Sequence, residues 1–222
     1  MSISSKAQAT VIKRKVKPVI ILASDQKLTN SITARYQKTL KYIEDWYHYW
    51  ISKGRTTKSF SFSNILSVKS SLNSKHWVYL SDISAMGPNR FDLFYEAQKV
   101  LERNNYNNPN EIYLGMIYAG EFTENKLGAA SARRCAIIPP QSKQECVEFS
   151  SNNSPQIPSL VADCVYAAAH ELGHCFGLGH TCDDYKNDSQ CGNSFMQQGR
   201  PPNMTMLTQE IDRLRAKSEW FY

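Results

Sequence analysis

The residues with the most chemical content lie in one short string, His170-Glu171-Leu172-Gly173-His174-Cys175-Phe176-Gly177-Leu178-Gly179-His180. On a helix, His170 and His174 stand four apart, and 3.6 residues per turn put both imidazoles on one face. Two such rings can reach one ion at the roughly 2.0–2.1 Å of a zinc–nitrogen bond. Glu171 is rotated away from that pair, so it is placed to meet a water beside the ion rather than the ion itself. Gly177 can take the left-handed conformation that ends a helix, and Leu178-Gly179 then carry His180 back as a third ligand. Three protein ligands leave a fourth position for water, which is the arrangement of catalytic zinc sites. Zinc lowers the pKa of such a water from about 15.7 to about 7. Glu171 is expected to take its proton as hydroxide attacks a peptide carbonyl, and then to pass it to the leaving amine.

The spacing is selective. A His-Glu-x-x-His match alone arises by chance, but Gly177 and His180 bring the fixed positions to five. A chance match in a chain of this length is on the order of one in 10^5. A helix whose histidines merely face solvent has no use for that continuation. His48 and His76 have no partner His or Cys at ligand spacing and read as structural or surface residues.

The elements that must hold this string follow from periodicity. Pro18–Ala23 reads as a buried strand and residues 27–52 as a long helix, capped by Thr29 or Asn30 and followed by Gly54. Ile32, Tyr36, Leu40, Ile43, Trp46, Tyr47 and Trp50 recur along it at core-facing spacing. Phe60–Lys69 and Trp77–Leu80 read as strands, and Asp92–Asn104 as an amphipathic helix. Ile112–Ala119 is a strongly apolar strand, and Arg133–Ile138 another that Pro139-Pro140 ends. Residues 141–158 read as a surface loop, and the metal-binding string closes a helix over 159–176. Gly, Asn and Pro make 181–205 irregular. A last helix is expected over Thr208–Lys217 with Thr208 as its cap, which leaves Glu210 one residue short of a capping box.

The chain has 222 residues, enough for one large domain with a real core. No apolar run approaches the roughly 20 residues of a membrane span. The net charge of +6 is uneven: residues 1–58 hold 12 Lys/Arg against 3 Asp/Glu. The run Lys13-Arg14-Lys15-Val16-Lys17 reads as a solvated tail, because no nucleic-acid-binding signature accompanies it. Six cysteines are compatible with an oxidising compartment. Cys182 and Cys191 could close a polar loop, and Cys135 and Cys146 could staple the segment around Pro139. Cys164 and Cys175 lie too far apart along one helix to bond each other.

His170 through His180 resembles the zinc signature of the metzincin clan of metallopeptidases. Ser194-Phe195-Met196 looks like the clan's methionine turn, with Met196 as an apolar floor under the three histidines and Met204 and Met206 as runners-up. The stretch Met206–Arg215 looks like its closing helix. The resemblance implies an α+β fold: a twisted mixed sheet with long helices above the cleft, and a smaller irregular C-terminal subdomain ending in a helix. The expected boundaries are a basic tail over 1–17 and a catalytic domain over 18–222, with an upper subdomain to about 177 and a lower one from about 178. Some members place a Tyr two residues after the turn Met; Gln198 stands there, so no Tyr switch is expected.

The resemblance also implies an extended substrate pairing with an edge strand near Gly128–Cys135, and a pocket wall at Gln197–Pro202. Asp163, Asp183 and Asp184 could tether the lower subdomain or orient a histidine, but helix capping and loop solvation are the favoured reading. The expected function is zinc-dependent endopeptidase action on a protein or peptide substrate. Glu171 is the catalytic base, and one catalytic zinc ion is held by His170, His174 and His180. Alternatives are a toxin or effector protease with one narrow target, and a zinc-stabilised binding protein without activity. A purely structural site has no need of Glu171. The chain is expected to be a secreted monomer, its signal or pro-segment absent from this sequence, with neither a nucleic-acid partner nor a membrane span.

Overall fold

The computed structural model describes residues 13–52, 59–86, 91–120, 130–132, 134–138, 162–186, 188–197 and 205–221. The chain opens with β1 (Lys15–Leu22), α1 (Asn30–Ser52), β2 (Ser61–Phe62), β3 (Leu66–Lys69), α2 (Ser74–Met86) and α3 (Asp92–Arg103). There follow β4 (Tyr113–Tyr118), β5 (Ala130–Ala132), β6 (Cys135–Ile138) and α4 (Ala162–Cys175). The last part holds α5 (Thr181–Asp184), a 3-10 turn at Cys191–Asn193 and α6 (Thr208–Arg215). Among the described residues, no helix is long and apolar enough to cross a membrane.

Val19, Ile20 and Ile21 are fully buried, so β1 is covered on both faces, as an apolar strand of a parallel sheet must be. The strand order is β2-β1-β4-β6-β5, with β3 also pairing β1 beyond the end of β2. Every pairing is parallel except β5 with β6, which is antiparallel. β5 therefore ends the sheet, inside the segment expected to offer an edge.

Side chains alternate across this sheet. Val16, Ile20, Leu22, Leu114, Met116, Ala136 and Ile138 join one core cluster with α1 and α4. Val19, Ile21, Ile117 and Ile137 join the other with α2 and α3. The result is a mixed α/β fold with helices on both faces. Phe195, Met196, Met206, Ile211 and Leu214, from the segment expected as a lower subdomain, pack into the same cluster as α1 and α4.

Tyr47 of α1 fixes α4 against the sheet. It is fully buried, and its hydroxyl donates to the carbonyl of Ala169 at 2.8 Å. Its ring meets Phe60, Phe176, Phe195 and Phe221 with centroids 5.0 to 6.4 Å away. Arg215 of α6 closes the C-terminal end of α1, one turn beyond Tyr47, donating from Nε and Nη2 to the Ile51 carbonyl at 3.0 and 2.6 Å. A helix C-terminus leaves such carbonyls without partners, and a guanidinium satisfies them.

Five expectations need correction. The first is the tail: β1 starts at Lys15, Val16 is fully buried, and Lys17 pairs with Glu111 at 2.5 Å. Second, Phe60–Lys69 is not one strand. It breaks at residues 63–65, where the Ser63 amide still donates to the Val16 carbonyl at 2.9 Å before β3 resumes. Third, Trp77–Leu80 is part of helix α2. Asn73 Oδ1 accepts from the His76 amide at 2.9 Å, and Asp25 accepts from the Ser74 amide and hydroxyl at 2.9 and 2.7 Å. These caps, with Trp77, Leu80 and Ser81 buried at helical spacing, override the β preference of the local string. Fourth, 181–205 contains α5 and the 3-10 turn. Fifth, Cys135 is a free thiol, so it does not pair with Cys146. Cys182 and Cys191 do form a disulfide, with Cα atoms 5.0 Å apart.

The helical assignment of α2 makes a first prediction. Asn73→Ala removes its cap and is expected to lower stability by about 1 kcal/mol in urea unfolding. A strand at Trp77–Leu80 would leave the midpoint unmoved.

Candidate metal centre

α4 carries His170, Glu171 and His174, and its end is built to return the chain. Gly177 has φ 91°, the left-handed region that disfavours residues with a Cβ. Its amide donates to the His174 carbonyl at 2.9 Å, and the Leu178 amide donates to the Gly173 carbonyl at 3.0 Å. This pair of bonds is the Schellman motif. It places the Leu178 carbonyl 2.8 Å from His174 Nδ1. The same turn brings His180 round to the other two rings. Ring centroids lie 4.7 Å apart for His170–His174, 4.9 Å for His174–His180 and 5.4 Å for His170–His180.

The second wall of the site is the turn at Met196. Phe195 and Met196 are fully buried. Gly173 faces them on α4, and a Cβ at that position would overlap the Met196 sulfur and approach Phe195 Cε2 at 3.1 Å. A glycine is therefore needed for close contact between helix and turn. The Phe195 carbonyl stands 2.8 Å from His170 Nδ1, and the Thr181 amide donates to the Met196 carbonyl at 3.1 Å. Met206, a runner-up for the floor, is buried in the same core. Met204 and residues 198–202 lie outside the described residues, as does the side chain of Asp163.

The two carbonyls decide the tautomers. A carbonyl only accepts, so Nδ1 of His170 and of His174 carries the proton, and each Nε2 keeps its lone pair. The two Nε2 atoms are 3.1 Å apart. Two lone pairs facing each other at that distance repel unless a cation lies between them. Ligand atoms of all three histidines lie within 4.8 Å of one another. Tetrahedral bonds of about 2.05 Å separate ligand atoms by roughly 3.3 Å, so the set fits a small three-imidazole metal site.

Burial favours the neutral rings that a metal needs. It pushes the His170 pKa down to about 4, with the charges of His174 and His180 adding to it and the bond to Phe195 opposing. Burial also lowers the values of His174 and His180. In the metal-free protein the sign is clear. Unfolded imidazoles near 6.5 take up protons that the folded ones resist, so stability is lost as pH falls from about 6.5 toward 4. Thermal melts of chelator-treated protein across that range should show it. A flat response would contradict the burial of the three rings.

Two residues that the sequence reading left out of the site hold it together. Glu210 of α6 is 1% exposed. Its Oε1 accepts from Thr181 Oγ1 at 2.6 Å and from Ser194 Oγ at 2.5 Å, and its Oε2 from the Leu207 amide at 2.7 Å. Leu207 is thus the N-cap of α6 and Glu210 its third residue, so Thr208 is not the cap. Tyr166, one turn before His170, donates from its hydroxyl to the Gln197 carbonyl at 2.9 Å. Asp184 pairs with Arg213 of α6 at 2.6 Å, which makes it a tether. Asp183 Oδ2 is 3.8 Å from His180 Nδ1, too far for a hydrogen bond.

This fold and this three-histidine centre define a metallopeptidase of metzincin-like type. The chain belongs to metallo-peptidase family M12, whose model matches residues 20–214. Among solved structures, wild-type OgpA from Akkermansia muciniphila is similar with a TM-score of 0.60 at 16% identity, over 97% of this chain and 64% of that one. Catalytically inactive OgpA from the same organism, in complex with an O-glycopeptide substrate (glycodrosocin), gives 0.58 at 14% identity, over 98% and 64%. These likenesses are of fold, and this chain spans less than two thirds of OgpA's length. No curated protein sequence matches the chain.

Proposed function

We propose that the chain is a zinc-dependent endopeptidase in which His170, His174 and His180 hold one zinc ion and Glu171 is the general base. The observation that carries this reading is the convergence of three imidazoles, two of which have their outer nitrogens locked by main-chain carbonyls. When bound, zinc supplies Lewis-acid chemistry, making water a nucleophile near neutral pH and polarising a peptide carbonyl. Glu171 lies on α4 next to His170 and is buried. Its carboxylate takes the proton of the attacking water and delivers it to the departing amide nitrogen. Phe195 and Leu178 orient His170 and His174 through their carbonyls, and Met196 closes the floor.

The peptide substrate is supported by family membership and by the glycopeptide bound to the inactive OgpA. Secretion is part of the same proposal, supported by the Cys182–Cys191 disulfide, which persists in oxidising compartments. The test is digestion of a diverse peptide library by the zinc-loaded chain, read by mass spectrometry. Internal cleavages that a chelator abolishes and zinc restores are expected. Retained zinc with no cleavage of any peptide would replace this reading with that of a zinc-stabilised binding protein. Cleavage confined to one sequence would favour a narrow-target protease.

A further inference from the structure

We propose that the face of the sheet opposite the histidines holds a binding site for a neutral sugar, in the cavity between α3 and the turn that leads into β4. The cavity measures about 670 Å³, inside the roughly 300–1,000 Å³ of small-molecule sites. Its walls include Tyr95, Gln98 and Glu102 of α3, with Tyr106, Tyr113 and Arg134 facing them. Behind it, Phe94, Leu101 and Tyr113 belong to the core cluster of α2 and α3. The histidine helix α4 packs in the other cluster, so the sheet lies between this cavity and the metal centre.

The walls are fixed without a ligand. Tyr95, Gln98 and Glu102 stand three and four residues apart, which makes them one stripe of the helix. After α3, Asn105 takes φ 63°, a left-handed conformation that Asn tolerates better than most residues. The Tyr106 amide then donates back to the Leu101 carbonyl at 2.9 Å. The Tyr106 ring lies 5.9 Å from that of Tyr113, centroid to centroid. Tyr113 is held in turn: its hydroxyl donates to Glu111 Oε2 at 2.5 Å, and Lys17 pairs with Glu111 Oε1 at 2.5 Å.

The open hydrogen-bonding groups select the ligand. Gln98 Nε2 donates to Glu102 Oε1 at 2.9 Å. Gln98 Oε1 and Glu102 Oε2 remain as neighbouring acceptors that bond no other described residue. The Tyr106 hydroxyl is equally open. Arg134 Nη1 is buried without a partner, which costs stability until something accepts from it. Adjacent acceptors beside donors match the neighbouring hydroxyls of a pyranose, each of which both donates and accepts. Tyr95, 54% exposed, offers its ring to the apolar C–H face of the same sugar. Charge excludes the ionic classes. Lys17 neutralises Glu111, so the lining keeps one carboxylate, Glu102, and one guanidinium, Arg134. An anion meets Glu102 and a cation meets Arg134, whereas a neutral polyol meets neither penalty. A peptide adding as a strand finds no open edge: β4 is paired by β1 and β6, and β6 by β4 and β5.

The experiment uses the full chain. An array of neutral and acidic oligosaccharides, with hexosides, N-acetylhexosaminides and uronates among them, is probed first. The glycans that bind are then titrated calorimetrically, with zinc and with a chelator. Neutral glycans are expected to bind better than uronates, with the same Kd in both conditions. Tyr95→Ala should weaken binding by roughly two- to tenfold, the worth of one aromatic contact. Glu102→Ala should weaken it by roughly 10- to 100-fold, the worth of a hydrogen bond to a charged group. Both side chains are exposed, so the urea midpoint should stay at the wild-type value. Glu102→Gln keeps an acceptor and should retain most of the affinity.

A chain that binds no neutral glycan on the array overturns the proposal. So does a glycan whose affinity neither variant changes, because it sits elsewhere, or one whose affinity disappears on chelation, because it sits on the metal. Uronates that bind more tightly than neutral sugars would overturn the charge argument and the proposal with it. A peptide that occupies the cavity and displaces the sugar at comparable concentration would make it a peptide surface instead. Digestion of the peptide library by Tyr95→Ala and Glu102→Ala should match wild type. The sugar site and the peptidase reading therefore stand or fall separately.

Discussion

Replacing Glu171 with Gln is expected to lower kcat by about 10²- to 10⁴-fold, the range of one general acid–base residue, and to leave metal content unchanged. Gln keeps the shape and the burial of the side chain but cannot take a proton. Glu171 is 8% exposed and directly follows the ligand His170 on α4. The three histidine side chains are untouched by the change, and the carbonyls that orient His170 and His174 belong to Phe195 and Leu178. Turnover and atomic absorption measured on one sample decide the matter. Loss of turnover with full metal supports the base. Native turnover would place the base elsewhere. Metal lost along with turnover would mean that Glu171 serves the metal rather than the proton.

Glu210→Ala is expected to cost about 3 kcal/mol of stability and to weaken metal binding by roughly 10- to 100-fold. Burial pushes the Glu210 carboxyl up, and three hydrogen bonds work against it. Removing the carboxylate takes the acceptor from the Ser194 hydroxyl and the Leu207 amide and leaves the Thr181 hydroxyl with Ser194 Oγ alone, and Thr181 and Ser194 are fully buried. Thr181 follows the ligand His180, and Ser194 precedes the carbonyl that holds His170. Losing one carboxylate therefore loosens two ligands at once. Urea unfolding with and without metal separates the effects: both forms should be destabilised, the loaded form by more. Equal losses in the two forms would make Glu210 a core residue without influence on the metal. Glu210→Gln retains one acceptor and should fall between.

What the sequence made legible was short-range. His170, His174, Gly177 and His180 stand at spacings that one helix and one turn convert directly into a cluster, and the methionine turn and the Cys182–Cys191 loop are equally local. The carbonyls of Leu178 and Phe195 were hidden because every residue has a carbonyl and only the fold selects two. Glu210 was misread because Thr208 looks like a cap. With Leu207 as the cap, the same Glu sits at the third position and bonds back to the Leu207 amide. Trp77–Leu80 read as a strand because its residues favour strands; Asn73, three residues ahead of the His76 amide, was the available signal for a helix. β2 and β3 read as one strand because the break at 63–65 interrupts pairing with β1 without changing the apolar content on either side.

The central pairing of β1 with β4 bears on how the molecule comes into being. It joins residues near the start of the chain to residues near its middle in parallel register. Closing so long a loop costs chain entropy before any contact repays it, and parallel pairing of this kind is slow to form. The histidine segment is local by comparison, running from the last turns of α4 to Met196. During synthesis β1 can pair with β2 and β3 first, but its other edge stays open until β4 has emerged. That interval is when the chain is most exposed to misassociation. The metal joins ends that are already close, so its contribution falls after the slow step and acts on how long the folded enzyme lasts rather than on how fast it is made.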